Sequence, residues 1–214
     1  MNSTISNTKT VYISLSEVAL TGDLTVPEAA RGLVIFSHGS GSSRHSPHNQ
    51  AVAEFLQKKG FATLLFDLLT EAEDEDYEKR FDIDLLSKRL YETTEWVATE
   101  ASVAGLPVGY FGASTGAASA IRAAAKLKAT VKAIVSRGGR PDLAMDVAEE
   151  IEAPTLLIVG SLDAPVISMN KAVYLKMLCE KEMVVVDGAS HLFTEPGKLK
   201  EVAELALSWF ERHL

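Results

Sequence analysis

The chain has 214 residues, 47% of them apolar and 23% charged, with a net charge of −8. This is globular composition and excludes disordered and collagen-like classes, while an acidic balance without a basic stripe argues against nucleic acid and anionic lipid surfaces as partners. The lone Cys179 excludes an intrachain disulfide, the opening MNSTISNTKT lacks the basic and apolar regions of a secretory leader, and no stretch approaches the roughly 18 apolar residues of a membrane span. The expectation is one cytoplasmic domain over 1–214.

In chain order, Thr10–Leu15 and Ala19–Val26 alternate like a half-exposed antiparallel hairpin. Near-continuous apolar runs follow at 33–36, 62–66, 108–111, 131–135, 155–159 and 183–186, the pattern of strands covered on both faces. Between them, periodicities of three to four residues predict helices near 47–59, 83–104, 115–127, 142–151, 166–180 and 196–213, with Pro196 in the first turn of the last. Glu71 to Glu78 reads as a solvated acidic loop. This βα alternation predicts an α/β fold: a mostly parallel sheet behind an N-terminal antiparallel hairpin, with helices on both faces. About 19 residues separate the strands at 131–135 and 155–159, room for one helix and no cap domain.

The pentapeptide Gly112-Ala113-Ser114-Thr115-Gly116 lies between a strand and an Ala-rich helix. Small flanking residues permit the sharp turn that exposes a serine oxygen, and the helix N-terminus offers N–H donors to a developing oxyanion. A serine hydroxyl needs a base, and the base an orienting carboxylate. His191 in Gly188-Ala189-Ser190-His191 and Asp163 in Gly160-Ser161-Leu162-Asp163 both follow strands, so both should emerge at the carboxyl edge of the sheet with Ser114. Asp142 and Asp187 are rivals for the acid. The turn His38-Gly39-Ser40-Gly41 follows the first parallel strand and can aim the Ser40 N–H at a carbonyl oxygen, with the Thr115 N–H as second donor. His38 is expected to stiffen that turn through its ring. The same turn fails as a dinucleotide site, since Arg44 stands where a third glycine belongs, and His45 and His48 lack further metal ligands.

Together the HG-S-G turn, the G-A-S-T-G elbow, G-S-L-D and G-A-S-H resemble the α/β-hydrolase superfamily over nearly the whole chain, in particular its small capless dienelactone-hydrolase-like branch. Dienelactone hydrolases proper carry a cysteine nucleophile. With Ser114 in that place, the resemblance implies a serine hydrolase of small soluble carboxylic esters, lactones or thioesters, without a cofactor and acting through an acyl-enzyme. The alternative is a non-catalytic small-molecule receptor on a hydrolase scaffold. Arg137 and Arg140, on a Gly-Gly turn at the catalytic edge, are candidate substrate-binding residues; pairing with Asp142 or the 71–78 segment is the other reading.

Overall fold

The computed structural model describes residues 8–214, so most of the opening segment read for a leader lies outside the described residues. Its centre is an eight-stranded sheet: β1 (Thr8–Ser14), β2 (Ala19–Thr25), β3 (Leu33–Ser37), β4 (Ala62–Phe66), β5 (Val108–Ala113), β6 (Val131–Arg137), β7 (Thr155–Gly160) and β8 (Lys181–Val186). The order across the sheet is β1-β2-β4-β3-β5-β6-β7-β8. β1 and β2 form the antiparallel hairpin, β2 joins β4 antiparallel, and β3 through β8 run parallel, as the apolar runs predict.

Successive residues of the inner strands feed opposite cores, which is why those strands lack polar alternation. Leu33 and Ile35 point to one core and Val34 and Phe36 to the other. The second core lies beneath α1 (Pro47–Gln57) and α6 (Lys198–His213), and the first beneath α3 (Ile83–Val97) and α4 (Thr115–Leu127). The chain leaves β3 toward β4 and then returns to add β5 on its other side. That reversal opens a crevice at the carboxyl ends of β3 and β5, where Ser40 and Ser114 follow their strands.

Several boundaries differ from the sequence expectation. The helix predicted to reach 104 stops at Val97. The segment Pro141–Glu150 is a tight 3₁₀ stretch broken at Ala144, whose φ of −126° is non-helical. α5 runs Ala164–Lys176, and α6 begins at Lys198 after Gly197, whose φ of 82° makes the turn, so Pro196 precedes the helix.

The acidic segment is also more ordered than a solvated loop. Glu71–Asp74 forms a short helix, α2, because Thr70 and Glu73 cap it reciprocally: the Glu73 N–H donates to Thr70 Oγ1 and the Thr70 N–H to Glu73 Oε2. Glu73 also accepts from Arg89 Nη2 at 2.9 Å, and Arg89, in α3, is only 2% exposed. Glu73→Ala removes the cap and leaves the buried guanidinium with only a 3.7 Å contact to Glu17. It should cost about 2–4 kcal/mol, whereas the exposed Glu71→Ala should stay within about 0.5 kcal/mol of wild type in denaturant unfolding.

Candidate active site

Ser114 occupies the turn between β5 and α4 with φ 50° and ψ −123°, a left-handed conformation that a side chain resists. Close packing holds it there. A Cβ on Gly116 would lie 2.1 Å from the Ser37 carbonyl oxygen of β3, and one on Gly112 would lie 2.6 Å from Ala117 Cα. Only glycine at both positions lets α4 start this near the strands. The Ser114 carbonyl accepts from the N–H groups of Ala117 and Arg140 at 3.1 and 2.9 Å, tying the elbow to the exit of β6.

His191 and Asp163 come from the loops after β8 and β7, which are stitched together. The Leu162 N–H donates to Ala189 O at 3.0 Å, and the Gly188 N–H to Ser161 Oγ at 2.8 Å. The stitching brings His191 Nδ1 to 2.6 Å from Asp163 Oδ2. With the carboxylate accepting from Nδ1–H, the lone pair of the imidazole lies on Nε2. Of the rival acids, Asp142 is taken by Arg140, and Asp187 is exposed at the end of β8. Ser114 and His191 line one cavity of about 260 Å³, without a hydrogen bond between them among the described residues. Such bonds commonly tighten only once the reacting group is in place.

The turn after β3 is braced by His38. Its Nε2 accepts from the Leu68 N–H at 3.0 Å, so Nδ1 carries the proton and donates to Gly39 O at 3.0 Å. Burial holds its pKa below the ordinary 6.5. The Ser40 N–H, expected as an oxyanion donor, is engaged by Thr115 Oγ1 at 2.8 Å. In this half-buried turn the hydroxyl satisfies the N–H.

The two arginines part company. Arg140 spends its guanidinium on Asp142, Nε to Oδ1 at 2.9 Å and Nη2 to Oδ2 at 2.8 Å, and does not line the cavity. Arg137 does line it, with Ser42, Ser46, His48, Asn49 and Leu192, residues that sequence reasoning had not placed at the site. The signal available for three of them was Ser46-Pro47, a cap followed by a first-turn proline, which starts α1 at the crevice. No group of three or more potential metal ligands occurs among the described residues, and none of their helices is long and apolar enough to cross a membrane.

Because the folded state disfavours a proton on His38 while the unfolded chain accepts one near pH 6.5, this residue's contribution to stability is complete above that pH and declines below it. Urea midpoints should therefore fall on acidification from pH 7 to 5 less steeply in His38→Gln than in wild type.

Comparisons with known proteins agree with this architecture. A family described as PET hydrolase-like matches residues 34–214. The crystal structure of a dienelactone hydrolase from Anabaena variabilis is 50% identical and superposes with a TM-score of 0.95, over 98% of this chain and 99% of its own. Est1E from Butyrivibrio proteoclasticus shares the fold at 16% identity, with a TM-score of 0.79 over 95% of this chain and 98% of its own. A protein of Mycobacterium tuberculosis provisionally named a phosphoribosyl transferase is 53% identical over 204 residues, 95% of this chain and 46% of its own length. The chain thus spans about half the length of the curated relatives it matches.

Proposed function

Since the chain belongs to the PET hydrolase-like family of α/β-hydrolases, we propose that it is a serine hydrolase of small carboxylic esters, lactones or thioesters, built as a single domain with an open site. The observation that carries the reading is the 2.6 Å contact between His191 Nδ1 and Asp163 Oδ2, beside a cavity that His191 shares with the strained Ser114. Chemically, Ser114 Oγ attacks the carbonyl carbon while His191 Nε2 takes its proton. The tetrahedral intermediate then collapses, the C–O or C–S bond breaks, and the leaving group receives that proton. Water repeats the cycle on the acyl-enzyme and releases the acid. Asp163 keeps the imidazole in the tautomer that presents Nε2 and stabilises the imidazolium.

The oxyanion is held by the N–H groups of Ser40 and Thr115, at the positive end of α4. For this the Thr115 hydroxyl must yield the Ser40 N–H to the incoming oxygen, so the hydroxyl acts as a placeholder between turnovers. Leu192, half-exposed beside His191, lines the cavity and gives it an apolar edge suited to an uncharged leaving group.

A fluorophosphonate probe should label wild type at Ser114 and leave Ser114→Ala unlabelled. Absence of labelling, alongside a control esterase that does label, would favour a non-catalytic receptor. Against p-nitrophenyl acetate, Ser114→Ala should lower kcat by about 10⁴–10⁶, and adding His191→Ala should cost little more, because the groups act as a unit. Additive losses would separate them.

The acid is tested by exchange of one atom. Asp163→Asn should lower kcat by about 10⁴ by favouring the wrong imidazole tautomer. Asp142→Asn, which only loosens the Arg140 pair, should have a far smaller effect. The reverse order in steady-state kinetics would transfer the role to Asp142.

A further inference from the structure

The cavity beside Ser114 contains a cation without an acidic partner among the described residues. Arg137, the last residue of β6, is 6% exposed. Its one side-chain hydrogen bond among the described residues runs from Nη2 to Asn49 Oδ1 at 3.3 Å, its Nε is buried without a partner, and no carboxylate lies within 4.0 Å of it. Arg44, Arg89 and Arg140 all have acidic partners. Burial without compensation pushes the Arg137 pKa down to about 10, so the side chain stays charged at neutral pH. Among the described residues no aspartate or glutamate lines this cavity, although the chain as a whole carries −8. A buried guanidinium left uncompensated next to a reaction centre is costly to keep, which marks a place where a ligand supplies the missing charge.

A second observation converges on the same space. α1 begins at the cavity wall with Ser46 as its cap and Pro47, which has no N–H, in its first turn. The Asn49 N–H goes to Ser46 Oγ at 3.4 Å and the Gln50 N–H to Ser46 O at 2.9 Å. The first-turn donor left without a partner among the described residues is the N–H of His48, at the positive end of the helix dipole. His48 also lines the cavity, and burial together with the neighbouring Arg137 charge keeps its imidazole pKa below the ordinary value.

We propose that Arg137 and the N-terminal turn of α1 form a phosphate subsite, so that the ester substrate carries a phosphate monoester held here while its acyl bond is cleaved at Ser114. This rests on the hydrolase reading above and names the substrate class of that site; the P–O bonds remain intact. A planar carboxylate would be met by one guanidinium fork. Here the fork is divided, because Nη2 is turned to Asn49 and Nε is buried, and the remaining donors come from separate elements: Arg137 Nη1, which is neither buried nor hydrogen-bonded among the described residues, the His48 N–H and the hydroxyls of Ser42 and Ser46. Donors spread in this way suit the three terminal oxygens of a tetrahedral dianion, which helix N-termini commonly bind.

The test titrates the intact protein with inorganic phosphate by calorimetry at fixed ionic strength, with acetate as the planar comparison, in wild type, Arg137→Met and Ser42→Ala. Phosphate should bind wild type more tightly than acetate, compete with p-nitrophenyl acetate and raise Tm. Arg137→Met should weaken phosphate binding by at least about tenfold and abolish the Tm rise, and Ser42→Ala, which removes one of the hydroxyl donors, should weaken it several-fold. Equal or tighter binding of acetate, or phosphate affinity unchanged in Arg137→Met, would overturn the proposal. Should Arg137→Met fail to fold, unchanged phosphate affinity in Ser42→Ala overturns it and a several-fold loss supports it. Binding is read without turnover, so failure of the hydrolase reading would appear separately, as a wild type that binds phosphate yet neither labels with fluorophosphonate nor cleaves the neutral ester.

Discussion

Ser114 stands clear of the sheet only because the backbone around it is held where an L-residue is strained, at a cost of about 1–3 kcal/mol. The closeness of α4 to the backbone of β3, made possible by the missing side chain of Gly116, repays that cost through packing. The same approach sets the rest of the site. It brings the turn after β3 against the start of α4, so that the Ser40 N–H reaches the Thr115 hydroxyl, and it places the helix dipole where negative charge would develop. Relaxing the elbow would disperse all of these groups at once.

The other half of the site depends on rigid loops rather than on strain. His191 and Asp163 lie 28 residues apart in the chain. Their contact is secured by bonds between the two loops, Leu162 to Ala189 and Gly188 to Ser161, and by the fully buried Phe193 in a left-handed turn just beyond His191. The imidazole thus inherits its orientation from paired strands, which position side chains more accurately than free loops do. His38 performs the matching task on the opposite wall, joining the turn after β3 to Leu68 beyond β4 with both ring nitrogens occupied.

Charge is distributed unevenly over this frame. The acidic excess lies on surfaces such as α2, where carboxylates cap a helix and neutralise Arg89, while the cavity beside Ser114 has only Arg137 and the positive end of α1. In an acidic protein such a cavity offers an anion a local potential opposite to that of the molecular surface. Specificity would then come from desolvated attraction at short range rather than from long-range steering.

The sequence by itself determined the parallel sheet, because strands covered on both faces must be apolar at every position. It also placed the candidate elbow and its candidate partners at one edge, because Ser114, Asp163 and His191 each follow a strand that ends there. The acidic run from Glu71 reads as a solvated loop, because it looks the same whether solvated or capped until Thr70 and Glu73 close the cap and Arg89 arrives from another helix. The break at Ala144 and the start of α6 after Gly197 were not legible, since periodicity records which residues are apolar and not where a backbone hydrogen bond is lost. Arg137 and Arg140 were indistinguishable on a shared Gly-Gly turn. Tertiary structure separated them: Arg140 finds Asp142 two residues on, whereas Arg137, still paired within the sheet, is carried beneath α1 where no carboxylate reaches. Whether a charge is compensated depends on what the fold brings within a few ångströms of it, and sequence spacing does not contain that distance.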